Sequence, residues 1–172
     1  MFNRIVQFSL ALPLLGLATL SWACSASITS NEVLVEKADW IVRAEVEDYV
    51  VPPTPGKYRT TGVPESIVRF KVREVIWGPD LWDLELHGYV VQTDDFNDRR
   101  PPYTFVRPGG RAGSCYANSY RKGAQYLLFL KQTSTGELSV NWAPLSPVNE
   151  QLHSVDDPWV VWIRGQVSKL RN

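Results

Sequence analysis

The sequence predicts a mainly β protein: a small Greek-key β-barrel of the OB type, with a short N-terminal helix and a C-terminal helix packed outside. Three observations carry this expectation. Two long stretches, "ADWIVRAEVEDYVV" (38–51) and "ESIVRFKVREVIWG" (65–78), alternate apolar and polar residues with period two. "AQYLLFLKQ" (124–132) is a nearly continuous apolar run, as a central strand requires. Helical spacing flanks the strands at either end. A two-sheet sandwich is the alternative for the same strand order.

Ser30 has the chemistry of an N-cap, and Val33, Leu34 and Ala38 give a short helix its apolar side. In the first strand Trp40, Val42, Ala44 and Val46 share one face, and Arg43, Glu45 and Glu47 the other. "PPTPGKYRTTGVP" (52–64) is a long loop, rich in proline and glycine. The second strand points Val68, Phe70, Val72 and Ile76 inward, and Arg69, Lys71 and Arg73 outward. Gly78-Pro79-Asp80 turns the chain into a third strand, "LWDLELHGYVV", with Leu84 and Leu86 inward. Residues 92–113 are polar, then rich in proline and glycine, and form a second long loop, functional or disordered. A short strand from Ser114 leads to a turn near 118–122. Thr133–Gly136 joins the apolar strand to "ELSVNWA" as a hairpin. Asp157 caps the last helix, with Pro158 in its first position and Trp159, Val160, Ile163, Val167 and Leu170 on one side.

The bulk composition narrows the function classes. The 172 residues suit one domain with a proper core, and 44% hydrophobic against 21% charged is ordinary for a folded chain. Eighteen basic and eighteen acidic residues give zero net charge, which argues against nonspecific nucleic-acid binding. Residues 1–23 read as a secretory signal: a positive start at Met1–Arg4, an apolar run from Ile5 to Leu20, and Ser21 and Ala23 as the small residues before the cut. The apolar run is short for a membrane span, and no basic cluster follows it. Residues 24–172 are then a single exported domain, secreted or periplasmic, beginning at Cys24. Export makes a disulfide permissible, and two cysteines, Cys24 and Cys115, allow one pairing. A lipoprotein with lipid on Cys24 is the rival, disfavoured by Ser21 and Trp22 before it and by the thiol it would strand at Cys115.

Several patterns have simpler explanations than chemistry. "GSCY" (113–116) resembles the surroundings of a cysteine-protease nucleophile, but His153 is the one histidine downstream and a disulfide would consume the thiol. His87 and His153 lack ligand-type spacing for zinc. "TDDFNDRR" lacks the glycine and terminal glutamate of a calcium loop, and Arg99 and Arg100 neutralise it, so a solvated loop is expected. Arg69, Lys71 and Arg73 are the wet face of a strand. With no phosphate-binding glycine loop and no Ser-His-Asp arrangement, no enzyme and no cofactor are expected.

Cys24, "KADWIVRAEV" (37–46) and "GSCYANSYRKGAQYLLFLK" (113–131) together resemble the inhibitory N-terminal domain of the tissue inhibitors of metalloproteinases, part of the wider netrin-like family. In that family a mature N-terminal cysteine is soon followed by an Ala-Asp-hydrophobic-hydrophobic-Arg-Ala strand. A later cysteine, bonded to the first residue, stands where Cys115 stands. "YLLFL", "GELSVNW" and "PWVVWIRGQV" match the strand, hairpin and closing helix that follow. The likeness spans most of residues 24–170, without the family's two further disulfides; Ala26 stands where a third-position cysteine would be.

The resemblance implies a secreted inhibitor of zinc metalloproteases. The α-amino group and carbonyl of Cys24 would chelate the target's zinc, and Ser25 would point into the pocket beside it. Ser114 and Cys115 would form the adjoining ridge. A protease zinc keeps an open position for water, and an α-amino group with pKa near about 8 is accessible in its neutral, ligating form. The alternative is a non-inhibitory netrin-like binding module that uses the disulfide only as a staple. Either way the expected partner is a zinc metalloprotease or another extracytoplasmic protein, met by a monomer without a membrane span.

Overall fold

A computed structural model describes residues 28–56, 63–112 and 115–170. Helix α1 (Asn31–Lys37) opens on Ser30, whose Oγ accepts from the Val33 N–H at 3.4 Å. It ends at Ala38, and Asp39 N–H is captured by the Leu130 carbonyl at 2.9 Å. The long strands β1 (Trp40–Val51) and β2 (Ile67–Trp77) follow as expected and pair antiparallel. β3 (Asp83–His87) pairs with β2, and β6 (Gln125–Gln132) returns to lie on the other side of β1. A three-strand meander whose fourth strand comes back beside the first is a Greek key. β7 (Leu138–Val140) and β8 (Asn149–Gln151) both pair with β6, completing a six-stranded antiparallel sheet. The fold is thus the mainly β, barrel-like arrangement expected.

The alternation of the sequence survives as burial. Val42, Ala44, Val46, Val68, Phe70, Leu84 and Leu86 lie in the core, while Val72 and Ile76 are half-buried. Ile41, on the opposite face of β1, is buried as well. Tyr126 to Leu130 are fully buried, because β6 is central and covered on both faces. Helix α3 (Pro158–Leu170) packs outside the sheet against α1 and β2. Its anchor is Trp159, which has no exposed surface and meets Tyr103 at 5.3 Å and Trp162, stacked, at 5.3 Å. Arg164 on α3 grips Glu74 on β2 through both carboxylate oxygens at 2.8 Å. No helix among the described residues is long and apolar enough to cross a membrane.

Three expectations are corrected. The third strand does not run through 81–91: it breaks at Gly88, where a Cβ would lie 2.3 Å from the Tyr120 ring. Beyond the break, β4 (Tyr89–Val91) joins a separate two-stranded sheet, parallel to β5 (Ser119–Arg121). The turn expected near 118–122 is therefore largely this strand, and the chain turns at Lys122–Gly123. The loop at 92–113, described as far as Ala112, is neither loose nor merely solvated. It contains the one-turn helix α2 (Pro108–Arg111) and buries Asn97, Tyr103, Val106 and Arg107.

Candidate functional site

Two distant segments meet at one corner of the barrel. Thr29 N–H, at the approach to α1, donates to Ser146 Oγ at 3.2 Å. Leu145 N–H donates to the Cys115 carbonyl at 2.9 Å, and the Leu145 carbonyl accepts from Val106 N–H at 2.8 Å. Cys115 and Leu145 both hold positive φ, 64° and 59°, a region non-glycine residues seldom occupy. Tyr116 packs edge-on against Trp142, their rings 5.5 Å apart. The leading segment and the Cys115 segment thus share the neighbouring residues Leu145 and Ser146 as their anchor.

Below this corner lies a buried polar cluster that the sequence reading missed. Arg107 is fully buried, and its Nε donates to the Asn149 carbonyl at 3.0 Å. Its Nη2 donates to the carbonyls of Ala117 at 3.0 Å and Ser119 at 2.8 Å, and its Nη1 pairs with Asp95. The guanidinium also lies over the rings of Tyr126 and Tyr120, 5.3 and 5.7 Å from their centroids. Two residues beyond Cys115, therefore, the chain is held by a charged fork whose directions are fixed by five-donor geometry.

Glu150 on β8 completes the cluster. Its Oε1 accepts from the Arg107 backbone N–H at 3.1 Å and its Oε2 from Asn97 Nδ2 at 2.8 Å. Burial pushes its carboxyl up to about 7, although Arg107 and the Asn97 hydrogen bond pull the other way. Burial also pushes Tyr120 up to about 12, leaving a neutral hydroxyl that accepts from Asn149 Nδ2 at 3.0 Å. Gln151 accepts from Asp95 N–H at 2.8 Å. The acidic run finds its direct ion-pair partners away from its neighbours Arg99 and Arg100. Asp94 pairs with Arg121, Asp95 with Arg107 and Asp98 with Arg111, all contacts that sequence proximity does not show.

Of the residues singled out from the sequence, Cys115 lies at the corner, half-buried. Cys24, Ser25 and Ser114 lie outside the described residues. Arg69, Lys71 and Arg73 are exposed, with Arg69 on Glu85 at 3.2 Å and Arg73 on Glu45 at 3.0 Å. His87 is on β3, whereas His153 stacks on Phe96 at 4.1 Å and meets Asp157 through Nδ1 at 3.2 Å. Asp157 uses its other oxygen to accept Trp159 N–H at 2.9 Å, so it caps α3 as expected. No group of three or more metal-ligating side chains is assembled among the described residues. Set against known proteins, the chain matches no family model and no curated protein.

Proposed function

We propose that this protein is a secreted inhibitor of zinc metalloproteases, acting through the amino terminus of a mature chain that begins at Cys24. The observation that carries the reading is the shared anchor at Leu145 and Ser146, which supports a short path from the leading segment to Cys115. From Cys24 to Thr29 the chain reaches at most about 17 Å when extended. No cysteine among the described residues is free, as a Cys24–Cys115 disulfide requires.

In this reading Cys24, Ser25, Ser114 and Cys115 form one ridge. The neutral α-amine and carbonyl of Cys24 fill the open coordination position of the target's zinc as a five-membered chelate. Ser25 enters the adjoining pocket. The Arg107 fork holds the carbonyls of Ala117 and Ser119, two and four residues after Cys115, which limits the conformational freedom that binding would cost. The chain supplies no catalytic group and no cofactor of its own.

The test is a competition experiment with the mature protein and a panel of secreted zinc metalloproteases. A small hydroxamate that occupies the protease zinc must exclude the inhibitor, and the inhibitor must exclude it. Binding that persists on a hydroxamate-saturated protease overturns zinc chelation and favours the netrin-like binding module, in which the disulfide is only a staple.

A further inference from the structure

Three stretches that converge on the Cys115 corner carry no charged residue. Residues 24–31, 112–120 and 138–149 contain no aspartate, glutamate, lysine, arginine or histidine, although 21% of the chain is charged. Their described parts meet. Thr29 N–H donates to Ser146 Oγ, Leu145 N–H donates to the Cys115 carbonyl, and Tyr116 sits edge-on to Trp142. Arg107, which bonds the carbonyls of Ala117, Ser119 and Asn149, is fully buried and adds no charge to the surface.

What this corner offers to solvent is largely apolar. Tyr116, Trp142, Ala143, Pro144 and Leu145 are each half-buried, and Ile28 is 42% exposed. The outer face of β2 is different in kind, with charged side chains in pairs such as Arg69 with Glu85 and Arg73 with Glu45. A grouped apolar surface marks a place where another molecule docks. Tyrosine and tryptophan are among the side chains that carry most of the energy at protein interfaces.

The surface is also held in one shape. Leu145 sits at φ 59° and Cys115 at φ 64°, conformations that persist in residues with a Cβ only where the surroundings fix them. Here the Leu145 N–H is taken by Cys115, its carbonyl by Val106 N–H at 2.8 Å, and Ser146 N–H returns to the Ala143 carbonyl at 3.1 Å. A surface formed in advance loses less freedom on binding. Its lack of charge specifies the partner. A charged group pressed against it would lose its water and find no counter-charge, so the matching surface is uncharged as well.

We propose that Tyr116 and the 141–145 segment form the surface on which the target protease rests beside its zinc, meeting an apolar, uncharged shelf next to the protease cleft. This rests on the inhibitory reading, which places the adjoining Cys24–Cys115 ridge in that cleft. The surface continues from the ridge without a break through Cys115 and Tyr116, and that continuity selects the protease over a second copy of this chain as its occupant. With no charge on either side, the association owes nothing to electrostatic steering and does not respond to salt.

The test measures inhibition constants against the panel of secreted zinc metalloproteases in sodium chloride from about 50 to about 500 mM, with a melting temperature for every variant. Wild-type constants should not move with salt. Trp142→Ala should weaken inhibition roughly tenfold or more. Pro144→Lys and Pro144→Glu should weaken it alike, while Pro144→Ala stays near wild type. Proline has no N–H to lose, so the Pro144 variants decide the case if Trp142→Ala misfolds. Salt-dependent constants, lysine and glutamate variants that shift in opposite directions or match wild type, or a dimer that Pro144→Lys disperses would overturn the surface and leave chelation standing. Loss of inhibition in these variants, beside equal inhibition by the mature protein and one with an extra alanine before Cys24, keeps the surface and overturns chelation. A panel in which no protease is inhibited overturns both.

Discussion

The backbone N–H of Arg107 donates to Glu150 Oε1 at 3.1 Å, and neither residue has any exposed surface. Together with Asn97 Nδ2 on Glu150 and Asp95 N–H on Gln151, this bond fastens the long 92–112 segment to β8. Through the Arg107 side chain the same point reaches Asp95, Ala117, Ser119 and Asn149. A fork that satisfies so many partners leaves several buried acceptors stranded when it is removed.

Arg107→Ala should therefore destabilise the fold by about 3–5 kcal/mol, the range for breaking a buried pair from one side. Arg107→Lys should recover only part of this, because an ammonium group lacks the planar fork. Urea denaturation of the two variants beside wild type checks both statements. A lysine variant as stable as wild type contradicts the geometric argument.

Glu150 sets a pH dependence with a definite sign. Its folded carboxyl titrates near about 7, raised from 4.5 by burial, so between those values the folded state holds a proton that the unfolded chain has lost. Stability should fall as pH rises through this window, by on the order of 3 kcal/mol. Glu74 behaves oppositely: partial burial works to raise it, but Arg164 and Arg43 hold it below its usual value. Its contribution is lost only on acidification below that window. Glu150→Gln should flatten the slope between pH 5 and pH 8 in urea titrations. A wild-type slope of the opposite sign, or one that survives the substitution, contradicts this assignment.

Gly88→Ala should destabilise by about 1–3 kcal/mol, since the added methyl meets the buried Tyr120 ring and the Asn118 carbonyl. Tyr120→Leu in the same chain should relieve part of that penalty, measured as coupling in a double-mutant cycle. Purely additive losses would place the strain elsewhere.

What was legible in the sequence followed from local periodicity. β1 and β2 declared themselves by alternation, β6 by its apolar run, and α3 by Asp157-Pro158 and its apolar side. β8 did not, because "NEQ" is polar and resembles a loop. Its residues are buried only because Asn97, Arg107, Tyr120 and Asp94, distant in sequence, satisfy them. The break at Gly88 was hidden for the same reason, since Tyr120 is what forbids a side chain there. At the candidate site the cysteine at 115 could be picked out. Its anchor at Leu145 and Ser146 could not, because backbone donors leave no mark in composition.

The proposed Cys24–Cys115 bridge should stabilise the fold without creating it. It closes a loop of about ninety residues, worth on the order of 4 kcal/mol in the chain-entropy account. Cys115→Ser should lower the melting temperature yet retain the β signal in circular dichroism. Phe70→Ala, at a fully buried site edge-on to the rings of Tyr120 and Tyr126, should cost about 3–5 kcal/mol. Complete unfolding of Cys115→Ser beside a harmless Phe70→Ala would contradict the division of stability.

The central claim is that the free amine of Cys24 occupies the zinc of a target protease, and one added residue tests it. An alanine placed before Cys24 turns the amine into an amide that neither coordinates readily nor fits the site, and a terminal residue disturbs little packing. The measurement is the inhibition constant of the mature and alanine-extended proteins against one secreted zinc metalloprotease, with melting temperatures recorded for both. The account predicts a loss of roughly a hundredfold or more, close to 3 kcal/mol, at unchanged melting temperature. Equal inhibition by the two forms would contradict it.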